Sequence, residues 1–394
     1  MEMKRDYIVN KKYSIKTLVT PSLEYDWIGC FADGLSSVKK HNKYGFIDKR
    51  GKLIIPLEYD GSRNFSEGIA TVKKNGKWGY IDKAGEIVIP FEYDNAGSLN
   101  GGFANVQKAN KCGFINSKGR IVIPLDYDNV THFSGNYARV EKNGKKSIIN
   151  KTGESIISND VGYEIVDNVN EGFIRIIYIA TEIRFGFIDI AKNIIVPLEY
   201  NAANPFREGL AAVSKTVADG NHINSYINQE GDVAFSANYD VLCDFHEGLA
   251  AVCNGYRRDR FFPSTDYEVD FNKKLGSYIL KKIEHLKHYT LQNFFKEHSK
   301  LTRKANMSAY ENSKWGFIDK IGKLVIPLEY EYVDYTYYKF SGGIACVKKD
   351  GRYGYIDKTG VVVIPIEYHF ANDLREGLAV VQKDSKWGIF QIEF

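Results

Sequence analysis

The chain has 394 residues, 44% of them hydrophobic and 14% aromatic, and its formal net charge is +4. The apolar content is ample for a core, no segment has the ~18 consecutive apolar residues of a membrane-spanning helix, and the N-terminus lacks the apolar stretch of a secretory signal. The five cysteines include no Cys-x-x-Cys pair and are expected to be reduced thiols in apolar positions. We therefore expect a cytoplasmic globular protein.

Residues 1–16 are predicted to be an N-terminal extension, and residues 17–394 a single repeat domain. Residues 18–26 read Leu-Val-Thr-Pro-Ser-Leu-Glu-Tyr-Asp, which is the pattern that ends each later repeat unit, yet no hairpin precedes it. This first strand therefore has no unit of its own at the N-terminus.

The chain then repeats itself about every 34 residues, which is typical of a repeat architecture. In the second unit, Asn75-Gly76 separates two alternating runs, and this predicts a hairpin whose type I′ turn needs positive φ at both positions. Val72 then pairs with Gly79, and on the other face Thr71 pairs with Tyr80. We expect the rings of one unit to pack on the small face of the next, which would also explain the glycine.

After the hairpin, each unit continues with a turn and a further strand. Asp82 and Gly85 predict a turn in which the carboxylate caps its own backbone and the glycine is left-handed. The next run ends in Ile-Pro, and a proline marks a strand end or an outer edge. Each unit thus has three strands, with a short fourth strand before the next Phe-x-x-Gly as an option.

Nine hairpins or their relics span 34–39 residues each, apart from one that is interrupted. They are centred on Gly45, Gly79, Gly113, Ser147, Gly186, Ser225, Gly316, Gly354 and Gly388. The two units with serine also lack Ile-Pro, and we expect them to fold like the others. The clearest structural repeat positions are Trp78, Gly79, Asp82, Gly85, Trp315, Gly316, Trp387 and Gly388.

The hairpin of the seventh unit is split by an insertion, residues 254–312. Residues 255–312 contain 12 Lys and Arg against 7 Asp and Glu, so the positive excess of the chain lies here. Asn272 is a candidate cap for a helix with an apolar stripe that includes Leu275 and Ile279. We therefore predict a basic helical insertion, and such insertions often form a binding face.

The last hairpin is followed by the end of the chain, so its unit lacks the final strand. The N-terminal strand can complete it, as in a closed β-propeller, which is the fold that we favour. The alternative is an open β-solenoid or superhelical array with a shifted frame, and nine units exceed the usual propeller number of about four to eight.

The units resemble the bacterial WG, or KWG, repeat family through patterns such as Lys77-Trp78-Gly79-Tyr80-Ile81-Asp82. The resemblance covers roughly residues 17–253 and 313–394 and implies no catalytic residues. The spacing of the strands is also similar to blades of quinoprotein-type β-propellers, which is an analogy of fold alone.

No metal, cofactor or catalytic motif is recognisable in the sequence, so we predict a protein that is not an enzyme. The repeated aromatic residues are better explained by core packing than by stacking on sugars or bases. Acidic residues before each tyrosine, such as Glu58 and Glu92, fit a turn device better than cation sites. His285 and His288 have the spacing of metal ligands, but no cluster completes the shell, so a solvated face is the better interpretation.

The leading functional hypothesis is a scaffold that binds a protein partner through the insertion. Candidate partner-binding residues are Arg257, Arg258, Arg260, Phe261, Phe262, Lys281, Lys282 and Lys287. One alternative is a propeller that binds a small molecule or glycan in its central channel, with hydrolysis as an option. Another is salt-dependent binding of nucleic acid or a membrane surface through the insertion.

Overall fold

The computed structural model describes residues 13–158, 162–179, 183–217, 221–255, 313–333 and 338–393. Every regular element among these residues is a β-strand. The chain forms two compact units: unit 1 comprises residues 1–99 and 333–394, and unit 2 comprises residues 100–332. The predicted helix and all eight candidate partner-binding residues lie outside the described residues.

The strands are short and follow one another closely. In chain order they are β1 (Ser14–Leu23), β2 (Trp27–Ala32), β3 (Leu35–Lys40), β4 (Lys43–Asp48), β5 (Leu53–Tyr59), β6 (Gly61–Ser66), β7 (Ile69–Lys74), β8 (Lys77–Asp82), β9 (Ile87–Tyr93), β10 (Asn95–Ala96), β11 (Phe103–Lys108), β12 (Lys111–Asn116), β13 (Ile121–Tyr127), β14 (Asn129–Val130), β15 (Tyr137–Lys142), β16 (Lys145–Asn150), β17 (Ser155–Ser158), β18 (Glu164–Ile165), β19 (Phe173–Ile179), β20 (Ile183–Asp189), β21 (Ile194–Tyr200), β22 (Ala202–Ala203), β23 (Ala211–Thr216), β24 (His222–Ile227), β25 (Val233–Ser236), β26 (Val241–His246), β27 (Leu249–Asn254), β28 (Lys314–Asp319), β29 (Leu324–Tyr330), β30 (Ile344–Lys349), β31 (Arg352–Asp357), β32 (Val362–Tyr368), β33 (Phe370–Ala371), β34 (Leu378–Lys383) and β35 (Lys386–Glu393).

Consecutive strands pair antiparallel and form nine sheets in the described residues, as the nine hairpin centres predict. Unit 1 contains sheet 1 (β2–β5), sheet 2 (β6–β9), sheet 8 (β30–β32) and sheet 9 (β33–β35 with β1). Unit 2 contains sheet 3 (β11–β13), sheet 4 (β14–β17), sheet 5 (β18–β21), sheet 6 (β22–β25) and sheet 7 (β26–β29). This meander order is that of β-propeller blades.

The predicted hairpin register is confirmed. In sheet 2, Val72 pairs with Gly79 and Thr71 with Tyr80, around a turn in which Asn75 and Gly76 both have positive φ. The predicted stacking is confirmed as well, because Phe46 of sheet 1 packs in one core cluster with Ala70 and Val72 of sheet 2. The optional fourth strand also exists and precedes the hairpin, as β6 does in sheet 2.

The repeated glycine has a different cause from the one we expected. A Cβ atom at Gly113 would lie 2.5 Å from the carbonyl oxygen of Pro124 and 2.6 Å from that of Ile123, both in the last strand of its own sheet. The register slips there, since Cys112 pairs with Tyr127 while Phe114 pairs with Ile123. The Ile-Pro bulge thus brings backbone oxygens against the glycine, and the ring of a neighbouring unit is not the reason for it.

The two serine units fold as four-stranded sheets, as predicted. In sheet 6 the last strand, β25, has four residues, whereas β13 in a glycine unit has seven. Ser225 pairs directly with Ser236, the final residue of β25. Glycine and Ile-Pro are therefore lost together, because they contact each other in the other sheets.

The N-terminal strand completes the last sheet, as predicted. In sheet 9, β1 pairs antiparallel with β35, with Ser14 opposite Glu393 and Val19 opposite Ile389. The indole Nε1 of Trp387 donates a hydrogen bond to the carbonyl oxygen of Tyr25 at 3.0 Å. Because β1 begins at Ser14, the last residues of the predicted extension belong to this sheet. The pairing joins the two ends of the chain within unit 1.

Candidate functional site

The first strand of each sheet and the residues that follow it alternate between repeated apolar and variable polar residues. Every sheet has a buried Phe, Leu or Val near the end of this segment. It lies two residues before the first residue of the turn that follows the first strand. These residues are Phe31, Phe65, Leu99, Phe133, Val169, Phe206, Phe245, Phe340 and Leu374. The alternation places the residues on either side of them on the opposite face.

The residues flanking this apolar position vary from sheet to sheet. On its N-terminal side stand Cys30, Asn64, Ser98, His132, Asn168, Pro205, Asp244, Lys339 and Asp373. On its C-terminal side stand Ala32, Ser66, Asn100, Ser134, Asn170, Arg207, His246, Ser341 and Arg375. Chemistry that differs from sheet to sheet is therefore concentrated here, and these positions form the candidate site in each unit.

In unit 1 this candidate site is centred on Asp373, with Lys339, Arg375 and Cys30 around it. The carboxylate of Asp373 lies 3.5 Å from the Lys339 ammonium, and its side chain is only 11% exposed. Burial raises the pKa of Asp373, and the charges of Lys339 and Arg375 oppose that shift only in part. The Cys30 thiol donates to the carbonyl oxygen of Asp373 at 3.8 Å.

The thiol of Cys30 is not a reactive nucleophile. Burial, followed by the charge of Asp373, raises the pKa of Cys30 to about 11, so the thiol stays protonated at neutral pH. Cys346 is buried beside it, and burial raises the pKa of that thiol as well. The expectation of free thiols holds for all five cysteines, although Cys30 and Cys243 are only partly buried.

In unit 2 the equivalent aspartate is Asp244, near Arg207, His246 and Asn204. Burial raises the pKa of Asp244, while the charges of Arg207 and His246 and a hydrogen bond from Asn204 lower it. Within the described residues, its buried Oδ1 atom has no hydrogen-bond partner. A buried carboxylate with one unsatisfied oxygen is costly for stability, and such groups are enriched at binding sites.

In six of the nine sheets, the turn that follows the first strand opens with a carboxylate. In unit 1, Glu376 accepts hydrogen bonds from the amides of Asp33 at 2.7 Å and Gly34 at 3.0 Å, and Asp33 accepts one from Gly68. In unit 2, Glu171 accepts from Glu208 and Gly209 in the same way. Each carboxylate thus holds the turn of the next sheet, which is a repeated structural role.

The acidic residues before each tyrosine form ion pairs. Glu58 lies 3.0 Å from Lys74, and Glu199 lies 2.6 Å from Lys215, each lysine belonging to the following sheet. These residues connect neighbouring sheets, so our expectation of a turn device is wrong. The predicted turn carboxylate is instead Asp82, which accepts from the amides of Ala84 and Glu86 at 2.9 Å.

The repeat tryptophans are buried to different extents. Trp315 and Trp387 are buried, and Trp78 is half-buried with the Arg63 guanidinium 5.2 Å from its ring centroid. Sequence reasoning missed the first-strand polar residues, because they share no spacing motif. They are found only when the nine units are aligned and the variable columns are compared.

The insertion leaves sheet 7 at the tip of an intact hairpin. β27 and β28 pair in register from Leu249 opposite Asp319 to Asn254 opposite Lys314. Beside this point lies a polar cleft of about 390 Å³ whose lining includes His222, Asn224 and Asp240. The root of the insertion thus adjoins a concave polar surface.

Two searches of the described residues give negative results. No group of three or more His, Cys, Asp or Glu side chains in that part of the chain is placed to hold a metal ion. The same residues contain no helix that is long and apolar enough to cross a membrane.

Eight segments of the chain match the family model described as "WG containing repeat". They are residues 18–44, 44–78, 78–112, 113–145, 185–216, 225–257, 315–353 and 353–387. Together they cover more than half of the 394 residues. The chain belongs to the WG-repeat family. Seven of the nine hairpin centres lie in the matched segments, and Ser147 and Gly388 lie outside them. A comparison with curated proteins finds no match.

Solved structures similar to this WG-repeat chain have low identity to it. KlHsv2 with loop 6CD replaced by a Gly-Ser linker is 9% identical, with a TM-score of 0.36, and the match covers 59% of this chain and 94% of that one. Kluyveromyces lactis Hsv2p is 8% identical, with a TM-score of 0.34 and coverages of 61% and 95%. The Neurospora crassa Pan2 WD40 domain is 14% identical, with a TM-score of 0.29 and coverages of 61% and 92%. Likenesses at this level carry no argument about function.

Proposed function

We propose that this WG-repeat chain is a non-catalytic binding module that presents its insertion, residues 254–312, to a protein partner. The observation that carries the proposal is the register of sheet 7. β27 and β28 stay paired up to Asn254 and Lys314, so the whole insertion leaves from one hairpin tip. A rigid root reduces the ordering cost of binding.

The contacts around the root support a rigid presentation. The Asp240 carboxylate accepts a hydrogen bond from the amide of Gly255 at 2.9 Å, at the N-terminal end of the insertion. At the other end, Trp315 is fully buried and its indole donates to the Ser313 hydroxyl at 2.9 Å. Both ends of the insertion are therefore tied to the sheet.

Charge favours an acidic partner. The insertion has an excess of five positive charges, whereas the rest of the chain is close to neutral. Opposite charge steers association and selects among partners more than it adds affinity. The arginines 257, 258 and 260 beside two phenylalanines combine charge with apolar area, which is common at the centre of interfaces.

The test is a replacement of residues 255–313 by Asn-Gly, which reproduces the turn of Asn75-Gly76 between β7 and β8. The melting temperature should stay within a few degrees, because the register of β27 and β28 is kept. Proteins captured by the full chain from its source organism should be lost with the shortened chain. Each captured protein is then purified and its binding measured directly by calorimetry.

The matched control is the triple variant Arg257→Gln, Arg258→Gln and Arg260→Gln, which keeps the insertion but removes charge. We expect it to weaken the partner's binding and to reduce its dependence on salt. An unchanged set of partners in the shortened chain contradicts the proposal. Capture of nucleic acid or binding to anionic vesicles, with steep loss in salt, would favour the third hypothesis instead.

A second candidate function is binding of a small molecule or glycan by the first-strand residues. It is favoured by the Asp373 and Asp244 clusters, where burial raises the pKa of a carboxyl group that lies among basic side chains. A carboxyl group of this kind can also serve as a general acid, which is where hydrolysis would be sought. A thermal-shift screen with mono- and oligosaccharides tests this function, and Asp373→Asn and Asp244→Asn should each remove any shift that depends on its cluster.

A further inference from the structure

Two turn carboxylates of unit 2, those of Glu171 and Glu208, are held by donors of the same kind. The Glu208 carboxylate accepts from the amide of Gly248 in the following sheet at 2.9 Å and lies 3.1 Å from the Lys320 ammonium. Glu171 accepts from the amides of Glu208 and Gly209, and Gln229 donates to it at 3.3 Å. Turn amides plus one longer side chain therefore form a repeated carboxylate seat.

Sheets 3 and 4 have the donors of this seat but no carboxylate. Gly101 occupies the position that Glu171 and Glu208 have in sheets 5 and 6, with nearly the same backbone: its φ is 59°, against 51° and 53°. The amides that face it belong to Gly135 and Asn136. In the part of the chain that the structure describes, those two amides have no hydrogen-bond acceptor.

Lys151 takes the place that Lys320 has in sheet 7. Its ammonium donates to the carbonyl oxygen of Gly101 at 3.3 Å and lies 5.5 Å from the ring centroid of Phe103. It is also 3.1 Å from the point where a Cβ atom of Gly101 would be. The positive charge thus lies where the side chain of an acidic residue would begin.

We propose that Lys151 and the amides of Gly135 and Asn136 bind the carboxylate of an aspartate or glutamate from an acidic peptide segment of a partner. The donors match those that hold Glu171 and Glu208, and hydrogen bonds of this kind to a carboxylate are stronger than neutral ones. At the equivalent turns the bound carboxylates belong to glutamate side chains, Glu171 and Glu208. This favours a peptide over a small metabolite as the ligand.

The other turns without a preceding carboxylate serve as internal comparisons. Gly135 also lacks a side chain, so the turn of Glu171 and Gly172 receives no carboxylate from sheet 4. There, however, Ile190 stands where sheet 4 has Lys151, so no ammonium completes the seat. Binding is therefore expected at the turn of sheet 4 and not at that of sheet 5.

The experiment is a titration of isotope-labelled full-length protein with N-acetylated hexaglutamate, followed by the backbone amide signals in NMR. We expect shifts at Gly135 and Asn136, with those of Glu171 and Gly172 unchanged. Lys151→Gln should weaken binding about tenfold, since it removes one charge-assisted contact. Gly101→Glu should abolish it, because the new carboxylate would occupy the seat within the chain.

Acetate and inorganic phosphate serve as separate probes, and melting curves of both variants verify that they fold. Peptide binding at least tenfold tighter than acetate supports the proposal. Equal affinities, tighter binding of phosphate, unchanged amide signals or undiminished binding by Gly101→Glu would each overturn it. The seat uses no residue of the insertion, so replacing residues 255–313 should leave peptide binding intact even if it removes the partner of the proposed function.

Discussion

The hairpins in the middle of each sheet and the first strands differ in how many of their residue positions recur from sheet to sheet. In the hairpins nearly every position recurs, and the buried members fill the core between sheets, as Phe46 does against Ala70 and Val72. In the first strands and the residues that follow them only the apolar position recurs, and its neighbours range from Cys30 to Lys339 and Asp373. The hairpins thus reflect packing, whereas the first strands carry differences between sheets.

This contrast shows where function can reside in a repeat protein. A position that is the same in nine units is explained by a contact that is the same in nine units. A position that changes from Asn64 to Asp244 to Lys339 has no common contact to satisfy. Such positions are free to form a site that is particular to two or three neighbouring sheets.

The largest expected effect tests the alternation directly. Phe133 is 1% exposed and packs against Phe114, with ring centroids 4.6 Å apart, whereas the adjacent His132 is exposed. Phe133→Ala should lower the free energy of unfolding by about 3–5 kcal/mol. His132→Ala should change it by less than about 0.5 kcal/mol. Urea denaturation measures both, and similar losses for the two variants would mean that the polar position is structural too.

The next effect concerns the hairpin glycine. Gly113→Ala forces a Cβ atom against the carbonyl oxygens of Ile123 and Pro124, and we expect a loss of about 1–3 kcal/mol. The matched control is Ser147→Ala, at the same position of a sheet in which the residue pairs directly with Ser158, with a change below about 0.5 kcal/mol. Thermal denaturation distinguishes the two, and a harmless Gly113→Ala would show that the bulge moves away at little cost.

Much of the hairpin architecture is predictable because its determinants are local. Asn75-Gly76 fixes a two-residue turn, and that turn fixes the register of Thr71 and Tyr80, which the structure confirms. The completion of sheet 9 by β1 follows from counting strands at the two ends. The cause of the glycine was mistaken because the contact joins Gly113 to a bulge about ten residues later, and no pattern in the sequence shows that a strand is bulged.

The candidate sites were not predictable, because each combines residues from different sheets of the same compact unit. Asp373 meets Lys339 of the preceding sheet, a contact between residues 34 positions apart that share no motif. Likewise, Lys151 meets Gly101 across 50 residues. Both contacts become visible only when the sheets are stacked, because the repeat then brings equivalent positions of different sheets together.

A smaller effect tests whether Asp244 is costly to bury. Burial raises its pKa in the folded protein, so its favourable contribution is present below the unfolded pKa of about 4 and is lost as pH rises through the folded pKa. Asp244→Asn should therefore gain stability relative to the unmodified chain as pH rises above about 4. Asp128→Asn is the opposite control: a hydrogen bond from Lys111 lowers the pKa of Asp128, so the stabilising contribution of Asp128 is present above about pH 4 and is lost as pH falls below that value. Melting curves from acidic to neutral pH check both signs, and a curve for Asp244→Asn parallel to that of the unmodified chain would mean that the surroundings of Asp244 compensate its charge.

The smallest effect concerns the carboxylate seat of sheets 3 and 4. Gly101→Glu should be more stable than Gly101→Gln by about 0.5 kcal/mol, the contribution of an exposed carboxylate beside an ammonium. Gly101→Gln is the control of equal length, because it has the same cost from the left-handed backbone but lacks the charge. High salt should reduce the difference between the two, as expected for an interaction between an exposed carboxylate and Lys151. If Gln stabilises as much as Glu, the two amides and Lys151 do not select a charged group, and the first strands and their turns would then be set apart by variability alone.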